Sequence, residues 1–204
     1  MREAGIGRVL VASLHQGIAD LMPSRLEFYE NWLNPDGLRH GTIGMAPLRA
    51  VLSFLRQEGE PYGRVMALAG TCAAEWLLAA RRLPLGALSS RLPTVLRARV
   101  ALGTARRFIR ACYRNNRAVI RMRSGSGTLE VHDSVFCHVR EPADSPLCGF
   151  YEALTARVLQ AYGLEGEVHA TSCRATGSAA CELSVSYAPR RNRTAGAAGR
   201  EGAE

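Results

Sequence analysis

The chain contains no lysine, and all 26 of its basic residues are arginine. This absence excludes chemistry that needs a lysine amine, such as a Schiff base with a carbonyl substrate or a phosphate-binding loop of the usual GK[ST] type. The formal net charge of +8 is therefore carried by guanidinium groups. A codon bias towards guanine and cytosine, which also favours alanine, glycine and proline, explains this usage without a functional role.

The sequence also lacks the motifs that usually mark an active site. It has no GxGxxG dinucleotide fingerprint, no HExxH motif and no nucleophile elbow. His132, Asp133 and His138 lie close together in the chain, but a strand would direct some of them to opposite faces. We therefore expect a protein that binds its target rather than an enzyme.

Long hydrophobic runs are missing as well. No window approaches the roughly 18 uninterrupted apolar residues that a membrane helix needs, and the first residues lack the charged-then-apolar layout of a signal peptide. These absences predict a cytoplasmic protein without a membrane span. Six cysteines in such a chain are expected to be free thiols or metal ligands rather than disulfides.

The length of 204 residues is enough for one domain with a substantial core. We place this domain at residues 1–187. Residues 188–204 have no apolar periodicity, which predicts a disordered tail. Arginines are dense between Arg97 and Arg123, but no nucleic-acid-binding motif accompanies them. We interpret them as a solvated surface and expect no nucleic-acid partner.

The N-terminal half has the apolar spacing of helices, which we place at 6–22, 25–33, from 47, 62–82 and 93–113. The helix at 62–82 carries many alanines and Gly70, so another element could approach it closely. For the helix at 93–113, five residues are predicted to supply the apolar face: Val95, Leu96, Val100, Leu102 and Phe108.

The C-terminal half changes to the alternating period of strands, at 118–123, 128–139, 167–174 and 180–187. A helix with apolar residues at helical spacing lies between the two strand pairs and should end at Gly163. Gly177 provides a turn within the second pair. The predicted fold is α+β: N-terminal helices packed on an antiparallel sheet made of two hairpins that are separated by one helix.

Four cysteines of the C-terminal half form the strongest chemical signal. Cys137 lies at a strand end, Cys148 at a helix start, and two more flank a turn. If the two hairpins share a sheet, these thiols could converge at one edge and hold zinc in a tetrahedron; the set is Cys137, Cys148, Cys173 and Cys181, with His169 as an alternative ligand. The competing interpretation is that they are buried small apolar residues.

The same stretch resembles the 4-vinyl reductase domain family. The resemblance rests on Cys148 beside Phe150 and Tyr151, on the run from Cys173 to Gly177, and on Cys181 followed by two alternating apolar residues. It also includes the preceding hairpin that ends in Cys137. It covers residues 118–187 well and the earlier helices only by their order.

The resemblance implies a fold related to subunits of the Golgi tethering complex TRAPP. Family members include a protein of bacteriochlorophyll synthesis, sensor domains of phenol- and toluene-responsive activators, and stand-alone hydrocarbon-binding proteins. In the aromatic sensors, three cysteines and a glutamate hold zinc. Cys148, Cys173 and Cys181 match the three cysteines, but Ala170 stands where the glutamate is expected. The fourth ligand would then be Cys137 or His169.

On this resemblance we expect a protein that binds an apolar aromatic or tetrapyrrole-type molecule and carries a structural zinc. Candidate ligand contacts are Trp76, Phe108 and Tyr151. Two alternatives remain open: a participant in bacteriochlorophyll synthesis, as 4-vinyl reductase or substrate carrier, and a scaffolding subunit. A homodimer is compatible with each of these.

Overall fold

A computed structural model describes residues 6–33, 44–80, 92–113, 116–123, 125–139 and 141–190. Six α-helices are described within these ranges: α1 Arg8–Leu21, α2 Leu26–Leu33, α3 Met45–Gln57, α4 Glu60–Ala80, α5 Thr94–Cys112 and α6 Gly149–Ala161. The described strands are β1 Arg117–Arg123, β2 Ser126–His132, β3 Leu164–Glu165, β4 Val168–Ser172, β5 Cys181–Ser186 and β6 Ala188–Pro189. None of the described helices combines the length and hydrophobicity needed to cross a bilayer.

The main sheet is antiparallel, with strand order β1-β2-β5-β4. Leu129 of β2 pairs with Leu183 of β5 at its centre, and both side chains are fully buried. The alternating partners on the opposite face, such as Ser184 and Ser186, are exposed. The α+β fold class is therefore confirmed, with two hairpins in one sheet and α6 between them in sequence.

Close helix packing depends on glycine at two positions. A methyl group at Gly70 of α4 would collide with the backbone carbonyl oxygen of Phe150 in α6. A methyl group at Gly17 of α1 would lie 2.9 Å from the carbonyl oxygen of Val65 in α4. The small residues predicted to let another element approach α4 therefore do so, and α4 packs against both α1 and α6.

The apolar face predicted for α5 is wrong at three of its five positions. Val95, Leu96 and Val100 are exposed, at 48%, 43% and 42% of their surface. The buried face is formed mainly by small residues at helical spacing: Ala98, Ala101 and Ala105, together with Leu102 and Phe108. Alanines let α5 lie close to β1 and α6, so residue size was a poor guide to which side faces the core.

The predicted strand at 128–139 is also too long. β2 ends at His132, because Asp133 has a φ of 54° and turns the chain out of the sheet. A 3₁₀ helix, Val135–Cys137, follows. Cys137 thus reaches its position from a short helical turn rather than from a strand.

The predicted start of the tail needs a correction. Ala188 and Pro189 pair with β3, and the amide of Arg190 donates to the carbonyl of Gly163 at 3.0 Å. Gly163 itself has a φ of 69° directly after α6, as a helix-terminating glycine should. Ordered chain therefore continues to Arg190. The rest of the predicted tail, 191–204, lies outside the described residues.

Candidate metal centre and ligand grooves

Each of the four candidate cysteines is placed by a different local structure. Cys137 is the last residue of the 3₁₀ helix after β2, and Cys148 is the N-cap residue of α6. Cys173 follows β4 at a turn that closes through Gly177, whose φ is 97°. Cys181 opens β5. The register pairs Val131 of β2 with Cys181 of β5, and Ser172 of β4 with Glu182 of β5. The ends of β2 and β4 therefore lie beside the start of β5, and the start of α6 comes to the same end of the sheet.

The four sulfur atoms all lie within 4.8 Å of one another. The Sγ of Cys137 is 3.4 Å from that of Cys173, 3.4 Å from that of Cys181 and 3.8 Å from that of Cys148. The Sγ atoms of Cys148 and Cys173 are 3.4 Å apart. A zinc–sulfur distance of about 2.3 Å corresponds to about 3.8 Å between sulfurs in a regular tetrahedron. The spacing therefore fits one ion.

The electrostatics of the cluster favour thiolate at two of its sulfurs. Hydrogen bonds from Cys137, Cys148 and Cys181 hold the pKa of Cys173 far below its usual value, and the Leu147 amide adds a hydrogen bond of 3.5 Å to its sulfur. A hydrogen bond with Cys148 lowers the pKa of Cys137 in the same way. The thiolate is the form that binds a metal.

The donor set fits a closed structural site. Four soft sulfur ligands in tetrahedral spacing suit zinc, and a site filled by four protein ligands leaves no open position for chemistry. The burial of the cysteines also fits a closed site, since Cys148, Cys173 and Cys181 are inaccessible to solvent and Cys137 is 7% exposed. His169 is not part of the cluster: its side chain is 72% exposed and lies 3.7 Å from the carboxylate of Glu167.

Ala170, which stands where the resemblance to the aromatic sensors would place a glutamate ligand, has a different role here. The backbone amide of Ala170 donates to the carboxylate of Glu152 at 2.7 Å, which fastens β4 to α6. Aromatic residues lie close to Cys137 and Cys148 in the sequence: the Phe136 ring is tilted against Phe150, with ring centres 4.8 Å apart, and edge-on to Tyr151 at 5.2 Å. The segments that carry Cys137 and Cys148 are thus held together by contacts among these three rings.

The structure does not gather the three predicted ligand contacts into one site. Trp76 is 39% exposed on α4, whereas Phe108 and Tyr151 are each only 1% exposed in the core. The Tyr151 hydroxyl accepts a hydrogen bond from Asn116 at 3.3 Å. Among the described residues, none of the three lines either of the two large grooves.

Two grooves lie beside the cysteine centre. The α3 groove, of about 1140 Å³, runs between α3 and a wall formed by His138, Val139, Glu141 and Ala143. The α4 groove, of about 790 Å³, runs between the start of α4 and residues 143–149. Arg56 and Ala143 line both, so the grooves meet. His138 follows Cys137 in one groove, and Leu147 and Gly149 flank Cys148 in the other.

Sequence reasoning missed these grooves. The apolar face of α3 is buried and consists of Leu48, Val51, Leu52 and Leu55. Its remaining positions recur at helical spacing as Arg49, Ser53 and Arg56, and they form the groove wall. That polar spacing was the available signal, but the opposite wall comes from a segment about 90 residues further along the chain.

No protein-family model matches the chain, and no curated protein matches it. Solved structures do match. An H-NOX protein from S. oneidensis in its Fe(II)NO ligation state gives a TM-score of 0.58 at 12% identity, over 90% of this chain and 99% of that one. An unliganded Fe(II) H-NOX protein from K. algicida gives 0.50 at 11% identity, over 91% and 98%.

A third similar structure is a trafficking protein particle complex subunit 3 from Naegleria fowleri, covalently bound to palmitic acid. Its TM-score is 0.50 at 12% identity, over 88% of this chain and 97% of that one. At such low identities the likeness establishes the fold alone. It agrees with the TRAPP-like fold expected from the sequence.

Proposed function

We propose that this chain is a small-molecule-binding protein of the 4-vinyl reductase domain type, with one structural zinc held by Cys137, Cys148, Cys173 and Cys181. The observation that carries the proposal is the convergence of these four cysteines from four separate segments into tetrahedral spacing. The ligand is an apolar aromatic or tetrapyrrole-type molecule. Full thiolate ligation makes the metal structural rather than catalytic.

Two lines of support favour ligand binding. The similar structures are named for very different bound groups, namely Fe(II) with NO in one case and palmitic acid in another. A fold that accommodates both is suited to enclosing small molecules. In this chain, two grooves that adjoin the cysteine centre supply the space.

Metal analysis tests the zinc. Protein purified without chelator should carry about one zinc per chain, as measured by atomic emission, and chelation should lower its melting temperature. The Cys181→Ser variant should lose the metal, because a serine hydroxyl is a poor replacement for a soft thiolate. The matched control is Cys72→Ser, since Cys72 lies on α4 outside the cluster. Undiminished stability of the metal-free protein would contradict the proposal.

A further inference from the structure

The α3 groove has one aromatic wall. Phe54 of α3 packs against Trp32 with ring centres 5.8 Å apart, and against Phe28 at 5.3 Å in an edge-on arrangement. Trp32 is 41% exposed and lines the groove together with Phe54. Aromatic faces held in this way offer a surface on which a flat apolar molecule can stack.

The same groove is positively charged. Among the described residues, two arginines line it, Arg49 and Arg56, against one acidic residue, Glu141. The α4 groove has the opposite balance, because Glu60, Asp144 and Glu152 face Arg56 there. An anion is therefore favoured in the α3 groove and disfavoured in the α4 groove.

We infer that the α3 groove binds an aromatic molecule that carries one anionic group, with the anion against Arg49 and Arg56 and the rings against Trp32 and Phe54. Guanidinium groups match the geometry of carboxylate or sulfonate oxygens, and such charge-assisted hydrogen bonds are strong. This inference rests on the proposed function, because it specifies the chemistry and the place of the ligand.

The groove also contacts the metal centre through the backbone. Arg56 donates a hydrogen bond to the carbonyl of Phe136 at 3.4 Å, and Phe136 precedes the metal-ligating Cys137. His138 and Val139, which follow Cys137, form the opposite wall. A rigid cysteine centre would therefore fix the position of the groove wall formed by His138 and Val139, which the ligand would contact.

Two probes that share their rings test the inference. 8-Anilinonaphthalene-1-sulfonate is anionic, whereas N-phenyl-1-naphthylamine has the same ring system without the sulfonate. The zinc-loaded protein should bind the anionic probe at least about tenfold more tightly, measured by fluorescence titration. Arg49→Gln and Arg56→Gln should each remove most of that preference and leave binding of the neutral probe unchanged. Two variants are used because Arg56 also bonds the Phe136 carbonyl.

Matched controls separate the groove from general effects. Arg64→Gln removes an equal charge from an exposed arginine that lines neither groove, and it should change nothing. Trp32→Ala should weaken both probes about three- to tenfold, whereas Trp76→Ala, at a similarly exposed tryptophan, should weaken neither. Thermal unfolding of each variant confirms that it is folded.

The outcomes distinguish the two proposals. Equal affinity for the two probes, or a preference that survives both arginine substitutions, overturns the anionic α3 site while ligand binding stands. Failure of the folded protein to bind either probe counts against the proposed function itself. Loss of the anionic preference on Arg64→Gln would show that net charge, and not the groove, attracts the probe.

Discussion

Cys112 shows at the residue scale that a buried cysteine need not belong to the sulfur cluster. Its side chain is 2% exposed, and burial raises its pKa to about 12, so it is a protonated, apolar core residue. Cys72 is partly exposed on α4, and burial also raises its pKa. At the other four cysteines the sulfurs contact one another, and these contacts lower the pKa of Cys173 and Cys137.

This division predicts the thiol reactivity of the zinc-loaded protein. With Ellman's reagent, Cys72 should react first and account for about one fast thiol per chain, because it is the partly exposed one. Denaturation with a chelator should expose all six. The Cys72→Ser variant should lack the fast phase, whereas Cys112→Ser should keep it. Rapid reaction of three or more thiols in the native protein would show that the centre is open.

At the scale of elements, the sequence predicted whether a segment is helix or strand better than it predicted where each helix or strand ends. The alternation of Cys181, Leu183 and Val185 identified β5, because one face of that strand is buried. Local spacing could not show that Asp133 turns β2 out of the sheet. The four cysteines were predicted as a set, but the α3 groove was not, since Trp32, Arg49 and His138 meet only through tertiary packing.

The contact between α4 and α6 gives a prediction at the same scale. Gly70→Ala should destabilise the fold by about 1–3 kcal/mol, because the new methyl group would collide with the Phe150 carbonyl and force the helices apart. The control in the same helix is Gly63→Ala, where no atom lies within 4 Å of the added carbon. That change should stabilise the helix by about 0.5–1 kcal/mol. Urea unfolding at equal zinc loading measures both, and equal effects would rule out the close contact.

At the scale of the whole molecule, the cysteine centre joins parts of the chain that are distant in sequence. It links the turn after β2, the start of α6 and both strands of the second hairpin. The α1–α4 pair has its own buried contacts, including Leu10, Leu14, Val65 and Met66, and contributes no ligand. A zinc ion held by these cysteines, as proposed, should therefore stabilise the two regions to different extents.

Hydrogen exchange can resolve this difference. Removing zinc should speed amide exchange at least about tenfold in residues 135–149 and 168–186, because an ion that binds only the folded arrangement contributes a few kcal/mol there. Amides in the middle of α1 and α4 should change much less. Zinc-treated Cys181→Ser should reproduce the pattern of the chelated protein, and Cys72→Ser should match the untreated one. A uniform increase in every helix and strand would mean that the centre supports the entire fold as one cooperative unit. Unchanged amide exchange around the cysteines would mean that no metal stabilises this end of the sheet.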